Sequence, residues 1–180
     1  MNRRTLPLVC LLGVLAPGAM LAADTAKPNA ASVAVTFDHP EKFTDVKDTF
    51  MGTEKGRDAI LAQIKDFVES RAKSYLRAGQ GLEVKFTDID LAGEFEPERG
   101  PRFHDVRIVK DLYVPRLKFE FRLTGADGKV INEGKRELTD LAFMMRSAFA
   151  FPPSDSLRFE KDILSDWLRS DVKAPASAAK

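Results

Sequence analysis

The sequence predicts an α+β domain, in which a mostly antiparallel sheet of four to five strands carries one long helix and a C-terminal helix on one face. Several short runs alternate apolar and polar residues, which is the period of a half-buried strand. One long run after the first of these strands repeats its apolar residues at a helical period of about 3.6 instead. Short links join the later strands, and short links favour antiparallel pairs.

The chain begins with a pattern typical of a cleavable secretory signal peptide over residues 1–23. Arg3 and Arg4 give a short positive segment, and an apolar stretch from Leu6 to Leu21 leads to the small residues Ala22 and Ala23. A helix that spans a membrane needs about 20 apolar residues, and this stretch is shorter and carries two prolines. We therefore expect cleavage after Ala22 or Ala23 and a mature chain without an integral membrane segment.

Removal of the signal would also change the composition of the chain. Cys10 is the only cysteine, so the mature chain would hold no disulfide, no thiol nucleophile and no cysteine-based zinc site. The formal charge of +1 would become −1, because Arg3 and Arg4 leave and residues 1–23 contain no acidic residue. This near-neutral balance argues against a nucleic-acid partner, which favours a strongly basic surface.

The mature chain is expected to begin with a flexible leader and to continue as one domain. Residues 24–31 are small and polar, which is typical of such a leader, and the domain is expected to occupy residues 32–170. Val33, Val35 and Phe37 alternate with small or polar residues and predict the first strand.

The helical period predicts a long helix from about Glu54 to Ala78. Gly79 follows the last periodic residue, where a glycine can end a helix in the left-handed conformation. The apolar residues of the helix share one stripe that would cover a face of the sheet: Ile60, Leu61, Ile64, Phe67, Val68, Ala72, Tyr75 and Leu76.

Alternation predicts four further strands, at Leu82–Phe86, around Val106–Ile108, at Leu117–Leu123 and at Val130–Leu138. A Gly-Ala-Asp-Gly sequence predicts a hairpin turn before the last of them, because Gly128 can take a positive φ. The last strand alternates weakly and carries many charges, which is typical of the edge of a sheet.

Two more helices are predicted after the last strand. Thr139 or Asp140 is positioned to cap a short one. After two consecutive prolines, Asp155 or one of its neighbouring serines is positioned to cap the C-terminal helix, whose apolar face includes Trp167. Residues 171–180 are rich in alanine and are expected to form a disordered tail.

The segment 87–97 breaks the pattern of the strand that precedes it. Asp88 and Asp90 would continue on the side of the strand that faces the core, where unpaired carboxylates are costly. Either a bulge near the start of the segment turns Ile89 and Leu91 inward, or nearby donors bind the carboxylates. The candidate donors are the backbone of Gly93 and the side chains of Arg99, Arg102 and Arg107.

Three interpretations of this segment stay open at the level of sequence. The first is structural, with a bulge and with carboxylates that accept backbone and arginine hydrogen bonds. The second is a recognition surface for a partner. The third is a divalent-metal site, since hard cations take oxygen ligands, and its candidate ligands are Asp88, Asp90, Glu94 and Glu96.

Other residue patterns do not predict catalysis or a cofactor. His39 and His104 are the only histidines, and neither has the i, i+4 partner of a zinc-binding helix. The sequence contains no Gly-x-Ser-x-Gly turn that would expose a nucleophilic serine. We therefore expect both histidines to be loop residues.

A set of short motifs extends over residues 33–168. The most specific is the Thr-Asp-Ile-Asp-Leu-Ala-Gly run that ends at Gly93. The others are Val35-Thr36-Phe37, Pro40-Glu41-Lys42-Phe43-Thr44-Asp45, Gly79-Gln80-x-Leu82, Glu96-Pro97, Asp105-Val106-Arg107, Pro115-Arg116, Leu138-Thr139-Asp140 and Phe159-Glu160-Lys161. With these motifs the chain resembles an exported bacterial family, the domain of unknown function 3016. Val114 and Phe159 depart from the family pattern, in which we expect proline and tyrosine.

The resemblance implies an envelope protein of a Gram-negative bacterium, and therefore a periplasmic location. It implies no activity, substrate or catalytic residue. It adds a set of polar positions that we expect to form one network around the strand ends: Asp45, Asp88, Asp90, Glu96, Asp105, Arg107, Asp140 and Glu160.

The expected function is that of a periplasmic, non-enzymatic binding or envelope accessory protein, whose partner would be another envelope protein. The alternative is a metal-dependent hydrolase that uses the Asp88 and Asp90 carboxylates. A tightly bound metal would favour the hydrolase, and a co-purifying envelope protein would favour the binding protein.

Overall fold

The computed structural model describes residues 30–145 and 151–173. The predicted signal peptide, most of the predicted leader and residues 174–180 of the predicted tail lie outside the described residues. The regular elements, in chain order, are β1 (Ser32–Phe37), α1 (Glu54–Lys73), β2 (Gly81–Asp90), β3 (Glu94–Phe95), β4 (Arg107–Ile108), β5 (Arg116–Thr124), β6 (Val130–Thr139) and α2 (Arg158–Trp167).

Four of the strands form the main sheet, in the order β1-β2-β5-β6, and this confirms the predicted α+β class. The pairs β2–β5 and β5–β6 are antiparallel. A short link joins β5 to β6, as predicted, whereas residues 91–115 separate β2 from β5. The strands β1 and β2 are parallel, because α1 carries the chain back between them. The turn between β5 and β6 has Gly128 at a φ of +76°, as predicted for this hairpin.

One face of the main sheet forms the core. Alternate side chains of the strands point to this face, and they pack against Leu61, Ile64 and Val68 of α1. On α2, the ring of Trp167 lies 4.5 Å from that of Phe119 and 5.4 Å from that of Phe121, measured between ring centroids. The two helices therefore cover the same face, and the opposite face of the sheet is left to the polar side chains.

The helix α1 begins as the sequence predicts and ends earlier. The hydroxyl of Thr53 caps its first turn by accepting the N–H of Gly56. Its last regular residue is Lys73, and the hydroxyl of Ser74 then donates to the carbonyl of Arg71. Gly79 does take a left-handed φ of +80°, but it lies in the turn into β2 and does not cap the helix. The predicted extension to Ala78 is therefore wrong.

A bulge in β2 settles how the acidic segment continues the strand. The register against β5 shifts between Phe86 and Asp88, which leaves Thr87 as the extra residue. Beyond the shift, Ile89 and Leu91 are buried in the core. The first of the two sequence alternatives is therefore confirmed, and the aspartates do not enter the apolar face.

The predicted third strand does not join the main sheet. Only Arg107 and Ile108 are extended there, and they pair with Glu94 and Phe95 in a separate two-stranded sheet. The chain before them is held in two short 3-10 turns that begin at prolines, whose missing N–H groups prevent regular pairing. The main sheet therefore has four strands, the lower number of the predicted four to five.

The segment after β6 also differs from the prediction. Asp140 accepts the N–H of Ala142, as a capping residue would, but residues 141–145 form turns and not a regular helix. The following residues, 146–150, lie outside the described part of the chain.

The C-terminal helix lies where the sequence places it, and the chain remains ordered beyond it. Asp155 accepts the N–H of Leu157 just before α2. The N-cap position itself is Leu157, and no side chain caps the helix there, so the predicted cap by Asp155 or a neighbouring serine is wrong. The chain continues in a wide helical turn, Leu168–Lys173. There Asp171 binds Arg136 of β6 with an Nε–Oδ2 distance of 2.8 Å. Residues 171–173 thus belong to the domain and not to the predicted tail.

The packing around Phe119 predicts a large loss of stability on truncation. Phe119 is fully buried between Phe86 and Trp167. We expect Phe119→Ala to lower the free energy of unfolding, measured by urea denaturation, by about 3–5 kcal/mol. Phe103→Ala is the matched control, because Phe103 is 42% exposed, and it should cost less than about 0.5 kcal/mol. Similar losses in the two variants would contradict this assignment of the core.

Candidate functional site

Arg107 is the centre of the predicted polar set. Its guanidinium binds the carboxylate of Asp45 with both nitrogens, at 2.6 Å and 3.2 Å. It also donates to the carbonyls of Gly93 and Lys47, at 2.8 Å and 3.1 Å. The guanidinium lies 4.6 Å from the ring centroid of Phe95, within the range of a cation–π contact. A single side chain therefore joins three separate stretches of the chain.

Local backbone structure brings Asp45 to Arg107. After β1 the chain turns at His39, which has a left-handed φ of +53°, and returns to the end of β2. There the N–H of Asp45 donates to the carbonyl of Ile89, and its carbonyl accepts the N–H of Leu91. Gly93 has a φ of +84°, and a Cβ there would lie 2.9 Å from the carbonyl oxygen of Ile108. The close approach of the two strand ends therefore requires this glycine.

Glu160, in the first turn of α2, is the most deeply buried carboxyl group of the set. It is 1% exposed, and its Oε1 accepts the N–H of Ala92 at 2.7 Å. Its Oε2 is buried without a hydrogen-bond partner among the described residues. Burial raises the pKa of Glu160, the positive charge of Arg107 opposes the rise, and the negative charge of Asp155 adds to it. Glu160 thus fastens α2 to the segment that follows β2.

Asp88 and Asp90 lie on the polar side of β2, and their surroundings differ. Asp88 accepts the N–H and the hydroxyl of Thr44, at 2.8 Å and 2.9 Å, and its carboxylate is 3.5 Å from Nζ of Lys118. Asp90 is half-buried opposite Arg116 of β5. Burial and the charges of Asp45 and Asp88 raise the pKa of Asp90, and Arg116 opposes this rise. The donors of Asp88 are not the arginines that the sequence suggested.

Glu96 forms a separate cluster with three donors. Lys110 and Arg99 form ion pairs with its carboxylate, and the hydroxyl of Tyr113 donates to it at 2.7 Å. The hydrogen bonds from Lys110 and Tyr113 lower the pKa of Glu96 to about 2. The hydrogen bond between Tyr113 and Glu96 also raises the pKa of Tyr113. This cluster fastens the loop between β3 and β4 to the chain that leads into β5.

Within the described residues, the hydrogen bonds and ion pairs of the predicted polar set fall into several groups. The structure brings Asp45, Arg107 and Glu160 into one region, since Arg107 binds Asp45 and the carbonyl of Gly93, and Glu160 binds the N–H of the residue before Gly93. The other members have their own partners: Asp105 accepts the N–H of Phe50 and Asp140 that of Ala142. Within residues 30–145 and 151–173, no three side chains of the His, Cys, Asp and Glu types are grouped so that they could hold a metal ion.

A second region, on the face of the main sheet that the helices leave open, was not singled out by the sequence analysis. A groove of about 710 Å³ extends over this face, with walls from β1, β2, β5 and β6. Cross-strand ion pairs surround it, and Glu120 takes part in two of them, with Lys85 at 3.9 Å and Lys135 at 2.7 Å. Arg122 and Glu133 form another at 3.1 Å. The sequence held one sign of this region, because β2 and β5 alternate apolar residues with charged ones, and the charged ones share a face of the sheet.

The described helices and the comparisons with known proteins add three facts. None of the helices within the described residues is long and apolar enough to cross a membrane. The family model described as "Protein of unknown function (DUF3016)" matches residues 31–170, so the chain belongs to this family, as its motifs indicated. No curated protein matches the chain.

The buried pair of Asp45 and Arg107 predicts a strong effect of removing the arginine. We expect Arg107→Ala to lower the free energy of unfolding by about 3–5 kcal/mol, because it leaves a buried carboxylate unpaired. Urea denaturation would measure this loss. Arg102→Ala, which removes an exposed arginine of the loop before β4, should cost less than about 0.5 kcal/mol. A loss below about 1 kcal/mol for Arg107→Ala would show that the pair is dispensable.

The buried carboxyl of Glu160 predicts a pH-dependent stability. Its folded-state pKa is raised above the ordinary value of 4.5, so the neutral form stabilises the fold at low pH and this contribution is lost as the pH rises. Glu160→Gln keeps an acceptor for Ala92 without an ionisable group. Its stability should match the wild type near pH 4 and exceed it increasingly above, by up to about 1.4 kcal/mol per pH unit.

The measurement for Glu160 is urea denaturation at a series of pH values between 4 and 9. Glu98→Gln removes an exposed carboxylate and serves as the control for the loss of a negative charge. If the difference between wild type and Glu160→Gln stayed constant over this pH range, the burial argument would be wrong.

Proposed function

We propose that this member of the DUF3016 family is a periplasmic, non-enzymatic binding protein, which holds an extended segment of an envelope partner on the open face of its main sheet. The observation that carries the proposal is the groove of about 710 Å³ on that face. The compartment follows from the signal-like pattern of residues 1–23.

The residues of the predicted polar set are better explained by the fold than by chemistry. The carboxylates of Asp45 and Glu96 are buried, and their donors are side chains of other parts of the fold. Asp88, on which a hydrolase would depend, already binds Thr44 and Lys118. A binding function therefore accounts for these residues more directly, because it needs the rigid scaffold that they provide.

The groove has the chemistry to hold a polar polypeptide segment. Its floor next to β1 carries the small side chains of Ala34 and Thr36, which leave room for a ligand. Its walls carry acidic and basic side chains in exposed ion pairs, and each such pair contributes little to the fold. A ligand segment with both kinds of charge can replace these pairs at a small cost in stability. Binding should weaken as the salt concentration rises.

A photo-crosslinking experiment in the periplasm tests the proposal. A photoreactive amino acid at Arg122, on the open face, should give an adduct of one discrete mass, which differs from twice the mass of the chain. The same amino acid at Gln63, on the exposed side of α1, is the matched control and should give no such adduct. Lys85→Glu combined with Lys135→Glu should reduce the adduct at Arg122 roughly tenfold, since it reverses two charges of the groove.

Two results would overturn the proposal. One is an equal yield of adducts at Arg122 and Gln63. The other is a chain that stays in the cytoplasm with residues 1–23 attached. The proposal expects mass spectrometry to find a mature chain that begins at Ala23 or Asp24.

A further inference from the structure

The two edges of the main sheet differ in a way that bears on association. The edge strand β6 is protected by the charges of Glu133, Lys135, Arg136 and Glu137. The other edge, β1, has the six-residue sequence Ser-Val-Ala-Val-Thr-Phe, with no charged residue and no proline. Its register with β2 is regular over the whole strand. Natural sheets usually protect an edge against pairing with charges, prolines or bulges, and β1 has none of these.

The backbone of β1 presents unpaired groups along its outer side. The N–H of Ser32 donates to Gln80, and that of Asp38 donates to Phe86, so the even-numbered residues direct their hydrogen bonds to β2. The N–H and C=O groups of Val33, Val35 and Phe37 consequently point away from the sheet. Within the described part of the chain, no hydrogen bond joins these outward groups to a turn, loop or side chain.

We propose that β1 pairs with β1 of a second copy of this chain, antiparallel and centred on Val35. In this register Val35 faces its own counterpart, Val33 faces Phe37 of the other copy, and Ala34 faces Thr36. The odd-numbered residues then exchange the hydrogen bonds that are unmade in the single chain. The two sheets become one continuous eight-stranded sheet.

The strand is self-complementary in this register. The pairs on the core face are apolar, the pairs on the open face are small, and no like charges meet. The backbone bonds of this stretch to the neighbouring strand are also symmetric about Val35, since the N–H of Ser32 and that of Asp38 lie three residues to either side of it. The left-handed residue His39 and the 3-10 turn that follows it then lead the chain away from the edge. Pairing would therefore use the whole stretch without a clash from its continuation.

Charge placement on the open face tests the pairing and its register. Ala34→Lys with Thr36→Lys puts like charges opposite each other across the axis, and should weaken the dimer at least roughly tenfold. Ala34→Lys with Thr36→Glu puts opposite charges there, and should restore dimerisation to within about threefold of the wild type. Sedimentation equilibrium of the exported chain measures the dissociation constants. Circular dichroism of both double variants confirms that they are folded.

Cysteine crosslinking tests the same register independently. Ala34 and Thr36 would form a pair without hydrogen bonds between them, whose Cα atoms lie about 4.5 Å apart, and a disulfide can join atoms at that distance. In chains that also carry Cys10→Ser, a mixture of Ala34→Cys and Thr36→Cys should form the disulfide-linked dimer. Each variant alone should form at least roughly tenfold less, because its cysteines are further apart.

Several outcomes would overturn the inference. The first is a wild-type chain that stays monomeric at about 100 μM. This result would indicate that β1 pairs with a strand of another protein. Equal dissociation constants for the two charge variants would exclude the register, and so would a disulfide yield in the mixture no higher than in the single variants. These outcomes are distinct from those of the groove experiment, since a monomer can still give the adduct at Arg122.

Discussion

The buried ion pair between Asp45 and Arg107 is the contact on which the arrangement of the loops depends. The guanidinium of Arg107 joins three parts of the chain that lie outside the strands of the main sheet: the chain after β1, the turn after β2 and the short strand β4. Moving any one of them would leave a buried charge or carbonyl without a partner, which costs more than the contact itself contributes. Glu160 extends this arrangement to α2 through its hydrogen bond with Ala92. These polar residues therefore stabilise the positions of the loops and of α2 relative to the main sheet.

The main sheet has two faces of opposite chemistry. The alternation of apolar and charged residues in β2 and β5 turns every apolar side chain to the helices and every charged one to the open face. The bulge at Thr87 preserves this separation where Asp88 would otherwise turn inward. The core thus tolerates no polar ligand, and recognition is left to the open face and to the edges. Both proposals of a partner follow from this division.

The sequence predicted the elements that depend on local patterns and missed those that depend on distant contacts. The strict alternation from Leu117 to Leu123 and the helical stripe of α1 both specify elements that the structure contains. The third predicted strand failed, because alternation over a few residues does not say which strand it will pair with. The hydrogen-bond partners within the polar set could likewise not be predicted, since Asp45 and Arg107 lie 62 residues apart and Ala92 and Glu160 lie 68 residues apart. The groove was missed because it exists only when four strands lie side by side.

The position of Trp167 makes the chain a reporter of its own folding. It is the only tryptophan, it is 3% exposed, and it lies edge-on to the rings of two phenylalanines of β5. An indole in such surroundings emits at shorter wavelength than one in water. The fluorescence of this chain therefore follows a single event, the docking of α2 on the sheet. Because α2 also carries Glu160, the intrinsic emission can show, without any added label, whether ionisation of this buried carboxyl loosens the docking of the helix.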